Sequence, residues 1–260
     1  MWLVTAIIVV AIVLIAYVLL IVPTQWLKLE RVRVPSANLG IRVLQISDVH
    51  VEFTRISARR INRIIKQQQP DYICVTGDFT QKAKHLPKVK CYAEAIGEAG
   101  IPVYAVLGNH DYRLAEPERL RLISILEQAG FTVLLNDSVL IDGKFRLVGI
   151  DDYGSKKSDI EKALAKVEVE EPVVVITHDP NILLWMKPQF RYLMAGHFHG
   201  MQFNVPPLFR FINKGILAAS GIIKGLHWYG GCPIYISRGM GQTSPNARLF
   251  INCEVTLHEL

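Results

Sequence analysis

The 260-residue sequence has no block of like charge, no internal repeat and no low-complexity tract. These absences exclude a nucleic-acid-binding tail, a solenoid and a long disordered segment. Cysteine is scarce. Cys74, Cys91, Cys232 and Cys253 form neither the paired spacing of a zinc site nor a disulfide framework. Because Cys74 sits in an apolar run that reads as a buried strand, reduced thiols in a cytoplasmic domain are expected.

Charge is also missing from Trp2 to Val22. At 1.5 Å per residue this stretch makes a helix of about 30 Å, the thickness of a bilayer's hydrocarbon region. No Lys or Arg precedes the run, its apolar length exceeds that of a signal-peptide core, and no small-x-small site stands before Pro23. A retained membrane span is therefore expected. Lys28, Arg31 and Arg33 follow it against Glu30 alone, which predicts a single-pass protein of the cell membrane with a cytoplasmic domain.

Half of the residues are apolar, enough for a substantial core in one large domain or two small ones. The formal charge of +6 suits an anionic partner. Lys and Arg are spread along the chain, however, with a modest cluster at Lys82, Lys84, Lys88 and Lys90 that reads as a solvated face. No nucleic-acid partner is expected, and no obligate protein partner is legible.

Three regions are expected: an anchor over residues 1–23, a linker over 24–40 and a catalytic domain over 41–260. Within the last, 41–47, 72–76, 103–107, 145–150, 173–177 and 192–195 are β-branched-rich runs bounded by Gly, Pro, Asp or Asn, and read as strands. Amphipathic patterns over 57–69, 88–99, 116–129 and 158–167 read as helices. The alternation predicts an α/β fold with parallel strands, whose functional groups collect at the strands' carboxyl ends.

The polar motifs fall at those ends. The first strand ends in Asp48-Val49-His50, the second in Thr76-Gly77-Asp78, and the third in Gly108-Asn109-His110-Asp111. Two later strands end in Thr177-His178-Asp179 and Gly196-His197-Phe198-His199-Gly200. Any one alone could be a helix cap, a turn or a packed imidazole. Together, five successive strand ends hold Asp, Asn or His, and five of the eight histidines fall there. Mixed nitrogen and oxygen donors with a shareable carboxylate, and no thiolate, suit Mn²⁺, Fe or Zn²⁺ better than Ca²⁺ or Mg²⁺. Two such ions about 3.5–4 Å apart serve phosphoryl chemistry.

In order and spacing these motifs resemble the full set of the calcineurin-like metallophosphoesterases over about residues 41 to 255. The resemblance implies a four-layer α/β/β/α sandwich. It implies one metal held by Asp48, His50, Asp78 and His199 and another by Asp78, Asn109, His178 and His197, with Mn²⁺ the expected ion. His110 would contact the phosphate and protonate the leaving oxygen, and Asp111 would orient it. The N-terminal span, His178-Asp179-Pro180, the 196–202 run and Ser237-Arg238-Gly239-Met240-Gly241 look like the membrane-associated phosphodiesterase branch, which includes hydrolases of the UDP-diacylglucosamine pyrophosphate bond. Phe198 and Met201 depart from that branch's usual Thr and Gly, at positions that are not metal ligands.

Other assignments follow from the residues themselves. Arg238 is a candidate phosphate grip. The segment from Pro206 to Trp228, with Leu208, Phe209, Phe211, Ile212, Ile216 and Leu217 among Arg210, Lys214 and Lys224, could rest on a bilayer or pack on its own domain. His85, His227 and His258 read as surface or packing residues. The expected activity is hydrolysis of a phosphodiester or pyrophosphate bond in a phosphorylated, lipid-linked or nucleotide-linked substrate. The alternatives are a nuclease or cyclic-nucleotide phosphodiesterase on the same core, or a catalytically silent membrane scaffold.

Overall fold

A computed structural model describes residues 1–211 and 214–260. Ile212, named above in the apolar segment, and Asn213 lie outside them. The chain opens with helix α1 (Trp2–Leu20), apolar on all sides and with no buried residue, followed by one further turn, α2 (Val22–Gln25). It continues through β1 (Leu27–Arg33), β2 (Arg42–Ile46), α3 (Ala58–Gln68), β3 (Tyr72–Thr76), α4 (Leu86–Gly97), β4 (Val103–Val106) and α5 (Glu116–Gln128). Then come β5 (Phe131–Val133), β6 (Asp137–Ile141), β7 (Phe145–Ile150), α6 (Ile160–Leu164), β8 (Val173–Thr177) and β9 (Tyr192–Ala195). The chain ends with α7 (Ile216–Ala219), β10 (Gly225–Tyr229), β11 (Cys232–Ile236) and β12 (Cys253–Glu259).

The strands form two six-stranded sheets, ordered β1-β12-β2-β3-β4-β5 and β10-β11-β9-β8-β7-β6. Their two-residue period sorts side chains between layers. In β2, Leu44 and Ile46 pack with α3, α4 and α5 on the outer face of the first sheet, while Val43 points to the second sheet. Val174 and Ile176 of β8 meet it from the far side, and Val173 and Val175 lie under α6 and the turn at Pro180–Leu184. The result is the four-layer α/β/β/α sandwich. Helix α3 begins where the Ser57 hydroxyl accepts from the Arg60 amide, and it buries Ile61 and Ile65, each worth about 1.5–3 kcal/mol.

Two expectations need correction. The sheets are mixed, not parallel throughout: β2 to β5 are parallel, as are β7, β8, β9 and β11, but β12 runs antiparallel to β2, β6 to β7 and β10 to β11. Residues 24–40 are also not a free linker. Leu27–Arg33 is an edge strand paired along its whole length with Cys253–Glu259, because Leu27 and Leu29 alternate with charged neighbours and bury against the first sheet.

The end of the apolar helix is fastened to the domain. The Arg248 amide donates to the Leu20 carbonyl (3.0 Å), Arg55 to the Thr24 hydroxyl (2.9 Å) and Arg60 to the Gln25 carbonyl (3.1 Å). Between the sheets, Gln45 donates to the Thr76 hydroxyl (3.0 Å) and the Ala195 carbonyl (2.9 Å), and its oxygen meets His258 Nε2 (3.1 Å). This buried polar bridge joins the two sheets directly beneath the strand ends that carry the polar motifs.

Candidate metal centre

The loops leaving β2, β3, β4, β8 and β9 converge at one edge of the sandwich. Five of the expected ligands adopt left-handed backbone angles: Asp48 (φ 50°), His50 (φ 38°), Asp78 (φ 59°), His197 (φ 74°) and His199 (φ 51°). Such conformations cost non-glycine residues of order 1 kcal/mol or more and persist where the surroundings fix them, typically at functional sites. Here the His50 amide donates to the Asp78 carbonyl (2.8 Å) and the Asp48 amide to the Gly77 carbonyl (3.1 Å), lacing the first two loops together. Gly108 and Gly196 are required because a Cβ at either would collide with the Asp78 and Asp48 carboxylates.

The side chains meet as closely as their backbones. One donor atom from each of Asp48, His50, Asp78 and His199, all buried, lies within 4.8 Å of the others. His50 Nε2 is 3.3 Å from Asp78 Oδ2, His199 Nε2 is 3.3 Å from Asp48 Oδ1, and the two imidazole nitrogens are 3.3 Å apart. On the other side of Asp78, His178 Nε2 lies 3.2 Å from Asp78 Oδ2 and 3.2 Å from Asn109 Oδ1, while His197 Nδ1 is 3.0 Å from Asn109 Oδ1. All seven expected ligands are therefore contiguous, with Asp78 in contact with both halves. The His178 ring is fixed by its Nδ1 against the Thr76 carbonyl at 2.8 Å.

The charges in this cluster oppose one another. Burial pushes the Asp78 carboxyl up, but the imidazoles of His178 and His50 outweigh it and hold the group well below the usual carboxylate range. Burial pushes His178 down, and the Asp78, Asp48 and Asp152 carboxylates more than reverse this. Burial, reinforced by the neighbouring His178 and His50 imidazoles, leaves His197 and His199 well below their usual value. Burial pushes His50 down as well, but the Asp78 and Asp48 carboxylates more than reverse this, as they do for His178. Buried carboxylates packed among imidazoles, two of which hold a proton that a bound cation would displace, form a donor set that divalent cations satisfy. The residues present fit a metal centre.

Residues 41–201 match the calcineurin-like phosphoesterase family. The chain belongs to that family. An uncharacterized metallophosphoesterase of Bacillus subtilis, YkoQ, is 38% identical over 86% of this chain and 85% of its own length. The UDP-2,3-diacylglucosamine pyrophosphatase LpxG of Chlamydia muridarum is 27% identical, covering 83% of this chain and 84% of its own. The phosphodiesterase YaeI of Escherichia coli is 29% identical over 75% and 72%. Among solved structures, TT1561 of Thermus thermophilus shares the fold with a TM-score of 0.51 at 11% identity, over 77% of this chain and 90% of that one. The protein is a phosphoester hydrolase of a dinuclear-metal family.

Two residues of this phosphoesterase sit differently from their expected roles. Asp111 does not orient His110. Its Oδ1 accepts from the amides of Phe79 (2.9 Å) and Thr80 (3.0 Å), and its Oδ2 from those of Asp78 and Gly108 (both 2.9 Å). The carboxylate thus clamps the β3 loop to the β4 loop. Burial, with the Asp78 charge beside it, pushes the Asp111 carboxyl up to about 7 despite those amides. The His110 ring instead stands edge-on to His50, with centroids 4.7 Å apart, and its Nδ1 meets Gln81 Oε1 (3.1 Å) and Arg113 Nη1 (3.3 Å). Burial pushes His110 down to about 3.

Arg238 is not free to grip a phosphate. Its guanidinium is paired with the buried carboxylate of Glu254 and with Glu30 (2.6 Å), beside a cavity of about 440 Å³ between β1 and β10. The sequence reading missed Gln81 and Arg113 as partners of His110: Gln81 stands 29 residues before it, which gives no local signal, whereas Arg113 lies only three residues on. Phe198 and Met201, the departures from the branch pattern, are buried under the second sheet's helical layer. Cys74 and Cys253 are buried, and all four cysteines are free. His258 is a buried packing residue, as read from sequence.

Proposed function

We propose that this phosphoesterase is a membrane-anchored enzyme that cleaves a phosphodiester or pyrophosphate bond in a lipid-linked or nucleotide-linked substrate. In this reading Asp48, His50, Asp78 and His199 hold one divalent ion and Asp78, Asn109, His178 and His197 the other, with Mn²⁺ the expected metal. When bound, the ions supply Lewis acidity toward phosphoryl oxygens and make water nucleophilic at neutral pH. His110, whose ring stands beside His50, would hydrogen-bond the phosphoryl unit. Neutral in the free site, the imidazole would take up a proton from solvent as an anionic substrate binds, and would pass it to the leaving oxygen as the bond from phosphorus to that oxygen breaks.

The observation that carries the membrane part is the distance along the chain between the site and the helix. Thr243, Ser244 and Pro245 line a cavity of about 150 Å³ that also borders His199. Three residues on, the Arg248 amide is bonded to the Leu20 carbonyl at the foot of the apolar helix. Phe198, Met201 and Phe203 give the same cavity an apolar side, which suits the start of an acyl chain. Arg31 and Arg33, on the strand that follows the helix, supply the cationic flank of a cytoplasmic domain.

The test is a Mn²⁺-supplemented hydrolysis screen of the full chain against UDP-diacylglucosamine, phospholipids, cyclic nucleotides and bis-p-nitrophenyl phosphate, beside Asp78→Ala and His110→Ala. Turnover of the amphiphilic substrates, lost in both variants, is expected. Turnover of cyclic nucleotides alone would sink the lipid reading, and an Asp78→Ala enzyme as active as the parent would sink the site.

A further inference from the structure

Two cavities flank the metal centre, and one side chain borders both. The first, of about 280 Å³, is bounded by Tyr153, Asp179 and Leu184 and reaches His197. The second is the cavity of about 150 Å³ that reaches His199. Lys214 lines each of them.

The backbone of Lys214 is fixed relative to the metal ligands. Asn181 Nδ2 donates to the Lys214 carbonyl (2.9 Å) and to Asp179 Oδ1 (2.8 Å), and Asn181 stands three residues beyond His178. Next to Lys214, Gly215 adopts φ 94° and packs so closely on the Asn181 amide that a Cβ would collide with it. The Lys214 ammonium forms no ion pair among the described residues, and it shares the larger cavity with the Asp179 carboxylate and the smaller one with Gln202, Thr243 and Ser244. A half-buried lysine at the junction of two cavities, with its main chain tethered and only the Asp179 carboxylate of the larger cavity opposing its charge, is arranged to receive an anion.

We propose that Lys214 binds a second anionic group of the substrate, next to the phosphoryl unit held at the metal centre, and so makes the site selective for diphosphate-type substrates over simple diesters. This rests on the reading of the centre given above. Lys214 is a positioning residue: the ammonium neutralises the distal group while the two cavities take the substituents on either side of the linkage. A hydrogen-bonded charge pair of this kind corresponds to roughly a 10- to 100-fold change in affinity.

The experiment measures binding of inorganic pyrophosphate and orthophosphate to the full, Mn²⁺-loaded chain by calorimetry, in the parent, Lys214→Ala and Lys214→Arg. The parent is expected to prefer pyrophosphate. In Lys214→Ala the preference should collapse by roughly 10- to 100-fold, and Lys214→Arg should keep most of it. Thermal melts of each variant establish that it is folded. A preference that survives in Lys214→Ala, or is absent in the parent, overturns the proposal. Because hydrolysis is not read, a parent that cleaves no phosphoester would count against the proposed function alone.

Discussion

Asp111→Asn separates a structural clamp from a catalytic dyad. In the parent, four buried amides, those of Asp78, Phe79, Thr80 and Gly108, point at the two carboxylate oxygens of Asp111. An asparagine keeps one oxygen and places an NH₂ against the remaining two amides, which then have donors facing donors. Leaving a buried donor unsatisfied costs about 1–3 kcal/mol each, so two such amides with partial relaxation give a loss of roughly 2–4 kcal/mol. A domain of ordinary stability, about 5–15 kcal/mol, stays folded, and guanidinium unfolding can measure the loss. His110→Ala serves as the contrast. The His110 amide would still donate to Asp78 Oδ1 (2.8 Å), so stability should change by less than about 1 kcal/mol while hydrolysis of bis-p-nitrophenyl phosphate drops roughly 10²- to 10⁴-fold. An Asp111→Asn protein that unfolds with the parent and loses activity as His110→Ala does would refute the clamp.

Other perturbations read other parts of the structure. Asp78→Ala should release metal from both halves of the centre, so elemental analysis of the purified protein should find little of either ion; retention of two would refute a shared ligand. Arg238→Ala strands the fully buried Glu254 and should destabilise by roughly 3–5 kcal/mol, with kcat/KM of the folded fraction near the parent's. A selective loss of kcat/KM at full stability would return Arg238 to the substrate. His258 is held neutral by burial, its affinity for protons pushed down to about 3 from an ordinary 6.5. A depressed value contributes stability that is present above about pH 6.5 and lost as pH falls toward 3. Between pH 6.5 and 4.5 this amounts to about 2–3 kcal/mol, and unfolding curves of His258→Gln should lack that part of the slope.

The candidate site was legible because metal chemistry restricts donor types and an α/β fold presents them at strand ends. Asp48, His50, Asp78, Asn109, His178, His197 and His199 could be picked out since each follows an apolar run. Their left-handed backbone angles were not legible, because the angles follow from hydrogen bonds between the backbones of separate loops. The same holds for Asp111. A carboxylate next to a histidine looks like its orienting partner in one dimension, but its oxygens face four amides, three of them on a separate loop some thirty residues earlier. Arg238 misled for a related reason: Glu30, its partner, is some two hundred residues away, in a stretch read as a linker. That stretch did carry a signal, the alternation of Leu27, Lys28, Leu29 and Glu30, too short to outweigh the Pro and Gly around it. The antiparallel pairings within the sheets were not legible; one of them forms because β12 returns from the far end of the chain to pair with β2.

The strand made from the supposed linker bears on how this enzyme meets its substrate. Only Ile21 to Trp26 separate α1 from β1, four of them are helical, Arg55 and Arg60 bind that short connection, and the Arg248 amide binds the last residue of α1. A catalytic domain on a flexible tether can swing out and sample the solution, at an effective concentration set by tether length. This one has no slack. With α1 in a bilayer, the domain travels only as its helix drifts sideways, and its search becomes two-dimensional. For the lipid-linked substrate proposed above, turnover should then follow its mole fraction in the lipid sheet, and diluting it with inert lipid should slow the enzyme even where bulk concentration is unchanged.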